Sequence, residues 1–274
     1  MKKWSAYIAI VLVVASCINK PDISDDATRI IEFDVVSYPS KTPFKVWAYD
    51  ADEVVINGHE VMCSDKRWST EQKHVWPSEQ ARLDFFAYSP AEAQAQVSKE
   101  TGITFSGFDI SANNEFLCAE PVIGASMPQT DSPLYMIFDT PLCEIEFQAY
   151  SSSGEGVAIW INRIELRDLA HIGDFRQLPS KEWSGLKDNR STNVFEGRID
   201  LTNIPQKVGE DILIIPQKLN PIIYYSYKHA GSDIEKKDSV LLDMKGAPGP
   251  ASGKKRTYTI KVTEDAVIIP NPNS

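Results

Sequence analysis

Positive charge is in short supply in this 274-residue chain: 28 Lys and Arg stand against 38 Asp and Glu, a formal balance of −10. A uniformly acidic chain repels phosphate backbones, which excludes nucleic acid as a class of partner. Histidine and cysteine are scarce, four of each. His59, His74, His171 and His229 show neither HxH nor HxxxH spacing, and no CxxC pair occurs, so no local metal motif exists. There is no GxSxG elbow and no GxGxxG loop. Gly246, Gly249 and Gly253-Lys254 come nearest to a phosphate-binding loop. Their spacing is wrong, no Ser or Thr follows the lysine, and Pro248 and Pro250 carry no N–H to offer a phosphate. Long apolar runs are missing as well. The longest, Trp4 to Ala15, has twelve residues where a membrane-spanning helix needs about 20.

That short run is itself informative. Lys2 and Lys3 precede it, as the positive end of a signal peptide does. It ends in Val14-Ala15-Ser16-Cys17, which resembles a bacterial lipobox: a branched residue, two small residues that let a peptidase reach the backbone, then a cysteine. The expectation is export, removal of residues 1–16, and acylation of the Cys17 thiol. Each buried CH₂ contributes about 0.8 kcal/mol, so two or more acyl chains anchor a protein stably. The polar stretch Asn19 to Asp26 then acts as a tether. Cys63, Cys118 and Cys143 remain, and an odd count outside the cytoplasm leaves at least one thiol free. Cys143 alternates with Ile145, Phe147 and Ala149, which places it on a buried strand face. A Cys63–Cys118 bridge stays open.

Period-two patterns recur along the rest of the chain. In IIEFDVVSY, Ile31, Phe33, Val35 and Ser37 share one face; in FKVWAY, Phe44, Val46 and Ala48 do. RLDFFAY sets Leu83, Phe85 and Ala87 opposite Arg82, Asp84 and Phe86. Further strands read YMIFD, CEIEFQAY, VAIWINRIEL, VFEGRIDL, DILIIPQ, IIYYSY, SVLLDM and RTYTIKV. Such strands, parted by Gly, Pro, Ser and Asn, predict an all-β sandwich. One segment reads as a short helix, AEAQAQVSKE, capped by Ser89-Pro90. The best boundary is residues 124–133, GASMPQTDSP, and residues 245–255 look like a long hairpin connection.

Candidate chemistry is thin. Glu144 and Glu146 lie two apart on one strand face, the pattern of ordinary solvent-facing carboxylates more than of a glycosidase acid. Trp68 and Trp76 flank a polar loop, where they either stack on sugar rings or form a packing corner. No catalytic residue, metal or cofactor is expected.

Several local motifs, taken together and in order, resemble the fimbrillin family of Bacteroidia-type bacteria. FKVWAY at Phe44–Tyr49 is similar to the family's first strand after its processing loop. Trp76-Pro77 followed by Leu83 to Pro90 resembles its "tryptophan-proline, then L-x-F-F-A-Y-x-P" signature. Phe116 to Ala119 sits where the family has "D-L-L-Y-A", and Phe138 to Leu142 with CEIEF resembles "F-x-H-x-L-S-x-I-x-F". Ile161 to Leu166 with Gly173-Asp174-Phe175 is similar to "I-x-x-I-x-L, then G-x-F", and Ile214 to Gln217 to "L-I-P-Q". Lys255 to Val262 is similar to the closing "Y-x-I-x-V" strand. Asp139 replaces the family's histidine, and Cys118 and Cys143 are atypical.

The resemblance implies two tandem transthyretin-like, Greek-key β-sandwich domains, here residues 17–130 and 131–274. It implies a structural subunit of a surface fimbrium (stalk, tip or anchor) lipid-anchored in the outer membrane and partnered by other subunits of the family. Assembly in the family follows proteolysis after Arg or Lys, which removes the first strand and leaves a groove for a neighbour's strand. Here IIEFDVVSY is that strand and Lys41 the first choice for cleavage; Arg29, a cut at which leaves the strand in place, is the alternative. An uncut strand, with Lys41 a plain loop charge, also stays open. Tyr258, Ile260 and Val262 on RTYTIKV, or the stretch Ala266 to Ile269, are donor candidates, with RTYTIKV as an ordinary last strand of its own domain the other reading. A lipid-anchored binder of host or bacterial glycans or proteins that does not polymerise is the alternative function.

Overall fold

The computed structural model describes residues 30–38, 42–65, 67–112, 115–130 and 132–270. The expected signal peptide, Cys17, Arg29 and Lys41 lie outside the described residues. Alternating sequences become strands, and among the described residues there is no helix. The first half holds β1 (Phe33–Val36), β2 (Phe44–Asp50), β3 (Glu53–Ser64), β4 (Arg67–Thr70) and β5 (Arg82–Ser89). It continues with β6 (Gln96–Ser98), β7 (Gly102–Asp109), β8 (Leu117–Ala119), β9 (Val122–Ser126) and β10 (Leu134–Asp139). Then come β11 (Cys143–Ser151), β12 (Val157–Arg176), β13 (Glu182–Asp200), β14 (Gln206–Lys207) and β15 (Ile212–Ile214). The chain ends in β16 (Pro221–His229), β17 (Lys236–Leu241), β18 (Lys255–Val262) and β19 (Val267–Ile268).

The first sheet runs β2-β3-β4-β1-β10-β8-β5, and pairing of β5 with β2 closes it into a ring, with β9 added to β5. Phe44, Val46, Leu83, Phe85, Trp76 and Phe138 fill its interior. The opposite faces of β2 and β5 are covered too, because Trp47, Phe86 and Tyr88 pack with Phe105, Phe116 and Phe175 in a second core. That double burial explains the continuous apolar character of FFAY. Asp84, buried on β5, is held by Lys99 (3.0 Å) and by the Gly124 N–H (2.8 Å). In the second half, β11 and β18 face β12 and β16 across a third core, a two-sheet sandwich. Cys143, Ile145, Phe147 and Ala149 all point into it, as their alternation predicts.

β12 joins these regions. It pairs with β16 from Val157 to Leu166, then with β7 from Ile172 to Arg176, and with β13 from Trp160 to Arg176. Its register shifts between Leu166 and Leu169, where Asp168 takes a positive φ of 53°. Beside the shift the Gln217 carboxamide stands in for a neighbouring strand: its Oε1 accepts the Ala170 N–H (2.9 Å) and its Nε2 donates to the Ala170 carbonyl (3.0 Å). Gln217→Ala should therefore cost about 1–3 kcal/mol in urea unfolding. Gln217→Glu, which keeps only the acceptor, should recover part of that loss.

Two expectations are corrected. The segment after Ser89 makes one turn, Ala93 N–H to Pro90 O (3.2 Å), and no helix. Tyr88 Oη donates to the Ala93 carbonyl and accepts the Ala95 N–H, taking backbone groups a helix would need, and Gln96–Ser98 pairs with β7 instead. Residues 245–255 are not a hairpin connection. They cross from β17, paired with β16, to β18, which lies parallel to β11 in the opposing sheet. The stretch 124–133 begins inside β9, and β10 beyond it returns to the first sheet, pairing with β1 and β8.

Candidate functional site: the seat of the first strand

IIEFDVVSY lies in a sheet, but only Phe33–Val36 is strand. Ser37, with a positive φ of 58°, ends it. β1 fills the gap in the ring between β4 and β10. It runs parallel to β10, from Phe33 opposite Leu134 to Val36 opposite Ile137, and meets β4 through a single register pair, Phe33 with Trp68. Short parallel pairing on one side and one pair on the other make a thin backbone attachment.

Side chains hold it more firmly. Ile31 and Phe33 are each 3% exposed. Phe33 presents its edge to Phe44 (6.4 Å) and Phe85 (6.2 Å), and Tyr38 lies 4.6 Å from Phe138 between ring centroids. Burying Ile31 and Phe33 contributes about 3–6 kcal/mol as an upper estimate. Flanking bonds fix the ends: Ile31 N–H donates to the His74 carbonyl (2.8 Å), Leu134 N–H to the Glu32 carbonyl (2.8 Å), and Tyr38 Oη to the Thr42 carbonyl (2.9 Å). That last bond joins the two sides of the segment containing Lys41. Without β1, β4 and β10 become facing sheet edges with unpaired backbone.

The other sequence-derived residues lie elsewhere. Tyr258, Ile260 and Val262 sit on β18, which is parallel to β11 over eight residue pairs from Glu144–Lys255 to Ser151–Val262, and all three are buried in the third core. Tyr258 Oη donates to the Pro248 carbonyl (2.8 Å), and burial pushes its pKa up to about 12. Val267–Ile268, within the alternative donor stretch, is β19, which folds back on Lys261 and Val262. Glu144 and Glu146 both reach Lys255 Nζ (3.0 Å each), which also meets Asp211 (2.6 Å). Bonds from Lys207 and Lys255 hold the Asp211 carboxyl well below its usual range. These carboxylates fasten β11 to β18.

Trp68 (7% exposed) and Trp76 (2%) belong to the ring's core, so neither ring is free to stack on a sugar; the packing-corner reading stands. Cys63, Cys118 and Cys143 are free thiols, without the Cys63–Cys118 bridge. Burial pushes the Cys118 thiol up to about 12, which keeps it protonated and unreactive. Among the described residues no group of three His, Cys, Asp or Glu side chains is placed to hold a metal, and no helix is long and apolar enough to cross a membrane. Two features had no signal in sequence. His59 meets His74, fifteen residues away, and the buried Gln177 links β7 to β8.

The family model described as fimbrillin-like matches residues 32–273. Solved structures share the fold. A fimbrial protein from Bacteroides vulgatus superposes with a TM-score of 0.63 at 13% identity, over 89% of this chain and 98% of its own. A candidate cell adhesion protein from Bacteroides uniformis gives 0.54 at 12% identity, over 87% and 94%. None of the curated proteins matches the chain in sequence.

Proposed function

Because the chain belongs to the fimbrillin-like family, a family of surface-exposed fimbrial and adhesion proteins, we propose that it is a structural fimbrial subunit assembled by exchange of β1. In this reading Cys17 is acylated, the lipid carries the precursor to the outer membrane, and a trypsin-like cut after Lys41 frees IIEFDVVSY. The observation that carries it is the seat of β1: a four-residue strand, thinly paired, plugging a closed ring with Ile31 and Phe33. An extended segment of a second subunit fills the vacated gap, its main chain pairing with β4 and β10 and its alternate side chains replacing the plug. The sequence Tyr258-Thr-Ile260-Lys-Val262 offers the same alternation. It is parallel to its own neighbour as β1 is to β10, and as a donor it has to leave β11. The stretch Ala266 to Ile269 needs to give up only two residue pairs.

Treatment of the acylated precursor with a trypsin-like protease should give ladders of higher mass on a denaturing, unboiled gel. Lys41→Ala should abolish them while leaving the urea midpoint of the precursor unchanged. A cleaved, stable monomer without ladders would sink the exchange reading, and so would ladders that persist in Lys41→Ala but vanish in Arg29→Ala, since a cut at Arg29 leaves β1 in place.

A further inference from the structure

One pair of titratable side chains is left without a role by the sheets and cores. His59 on β3 and His74 between β4 and β5 bring Nδ1 and Nε2 to 2.7 Å, with ring centroids 4.7 Å apart. At that separation one nitrogen donates its hydrogen and the other must accept it. A first added proton goes to an outward nitrogen and leaves the bond intact. A second sets N–H against N–H between two positive rings. The backbone at the same place holds the approach to β1: the His74 carbonyl accepts the Ile31 N–H (2.8 Å), and Val75 bridges to Ile30.

We propose that the His59–His74 pair is a pH-sensitive latch on the residues leading into β1, in which protonation of both rings drives them apart and releases Ile30 and Ile31. Burial, and after it the charge of His59, hold His74 below the ordinary histidine range. The charged residues that flank the pair in sequence and register are Glu60 next to His59 and opposite Lys45 in the β2–β3 register, Glu71 and Lys73 in the His74 segment, and Glu32 next to Ile31. None of them forms an ion pair with either ring among the described residues; the histidine ion pair found there is His229 with Glu264. An imidazole that resists protonation when latched binds fewer protons than when released. The latch is therefore fully closed above about pH 6.5 and is progressively lost as pH falls below that value. This device does not depend on strand exchange.

Amide hydrogen exchange tests it on the intact chain, with Phe86 in the central β5 as the internal reference. Between about pH 7.5 and about pH 5, protection at Ile31, corrected for intrinsic exchange, should fall about tenfold for each unit by which the His74 pKa rises on opening. Protection at Phe86 should stay constant. In His59→Gln and His74→Gln the acid-dependent fall should disappear. A pH-independent Ile31, or the same fall in both variants, overturns the latch. If a variant also loses protection at Phe86, the wild-type comparison of Ile31 with Phe86 decides alone.

Discussion

Replacing Phe33 by alanine should lower the stability of the first sheet by about 3–5 kcal/mol, the cost of emptying a large aromatic from a packed core. The ring cannot collapse into the space, because Phe33 touches Phe44 and Phe85 edge-on and these are themselves fully buried on paired strands. The urea midpoint followed by fluorescence reads the loss directly, since Trp68 and Trp76 lie in the same core. Val36→Ala is the matched control. It sits on the same strand, 43% exposed, and should change stability by no more than about 0.5 kcal/mol. A Phe33→Ala loss below about 1 kcal/mol would mean that β1 does not plug the ring, and the proposed exchange would lose its driving force. The measured figure also sets what an incoming segment must match, because it meets the same cavity and the same two edges.

The second large effect is expected at Gln177, which is 2% exposed. Its Oε1 accepts the Ile103 N–H (3.0 Å) on β7 and its Nε2 donates to the Ala119 carbonyl (2.7 Å) on β8. Gly102, with a φ of +62°, allows this approach, since a Cβ there would lie 2.5 Å from the Gln177 oxygen. Gln177→Leu keeps much of the volume but leaves a buried donor and a buried acceptor unpaired, an expected loss of about 2–6 kcal/mol. Gln177→Glu should be severe at neutral pH, since its carboxylate is a buried charge that cannot donate. A protonated carboxyl regains a donor for Ala119, so the Glu variant should gain on the Leu variant as pH falls. Parallel behaviour of the two variants from neutral to acid pH would show that Gln177 fills space and bonds nothing essential.

Much of this architecture was legible in the sequence where one rule acted alone. Strict alternation located β11 and β18 and placed Cys143 in the core, and the alternating core face within longer apolar stretches located β2 and β5. Other elements were hidden for identifiable reasons. β3 is exposed or half-buried along most of its length and shifts register near Gly58, where a positive φ of 68° interrupts the period. β13 is largely exposed, so only its last third, VFEGRIDL, carries a pattern. The Ala- and Gln-rich stretch after Pro90 has good helix propensity, which a tyrosine hydroxyl and a waiting strand edge overrode. Partner choice was the least readable. Neither the parallel pairing of β1 with β10 nor the crossing of residues 245–255 follows from local composition, because both depend on chain segments far away. The seat of β1 was therefore readable as a strand and unreadable as a slot, and the His59–His74 contact was not readable at all.

The long ribbon of β12 and β13 has a mechanical consequence. At about 3.3 Å per residue, the twenty residues of β12 span at most roughly 65 Å, from the sandwich core into the core beside the ring, with β13 paired alongside from Trp160 to Arg176 through four register shifts. Tension applied along its axis loads the cross-strand bonds in shear, many at once, rather than peeling them apart one by one. A ribbon braced in this way resists stretching between the two cores that it joins.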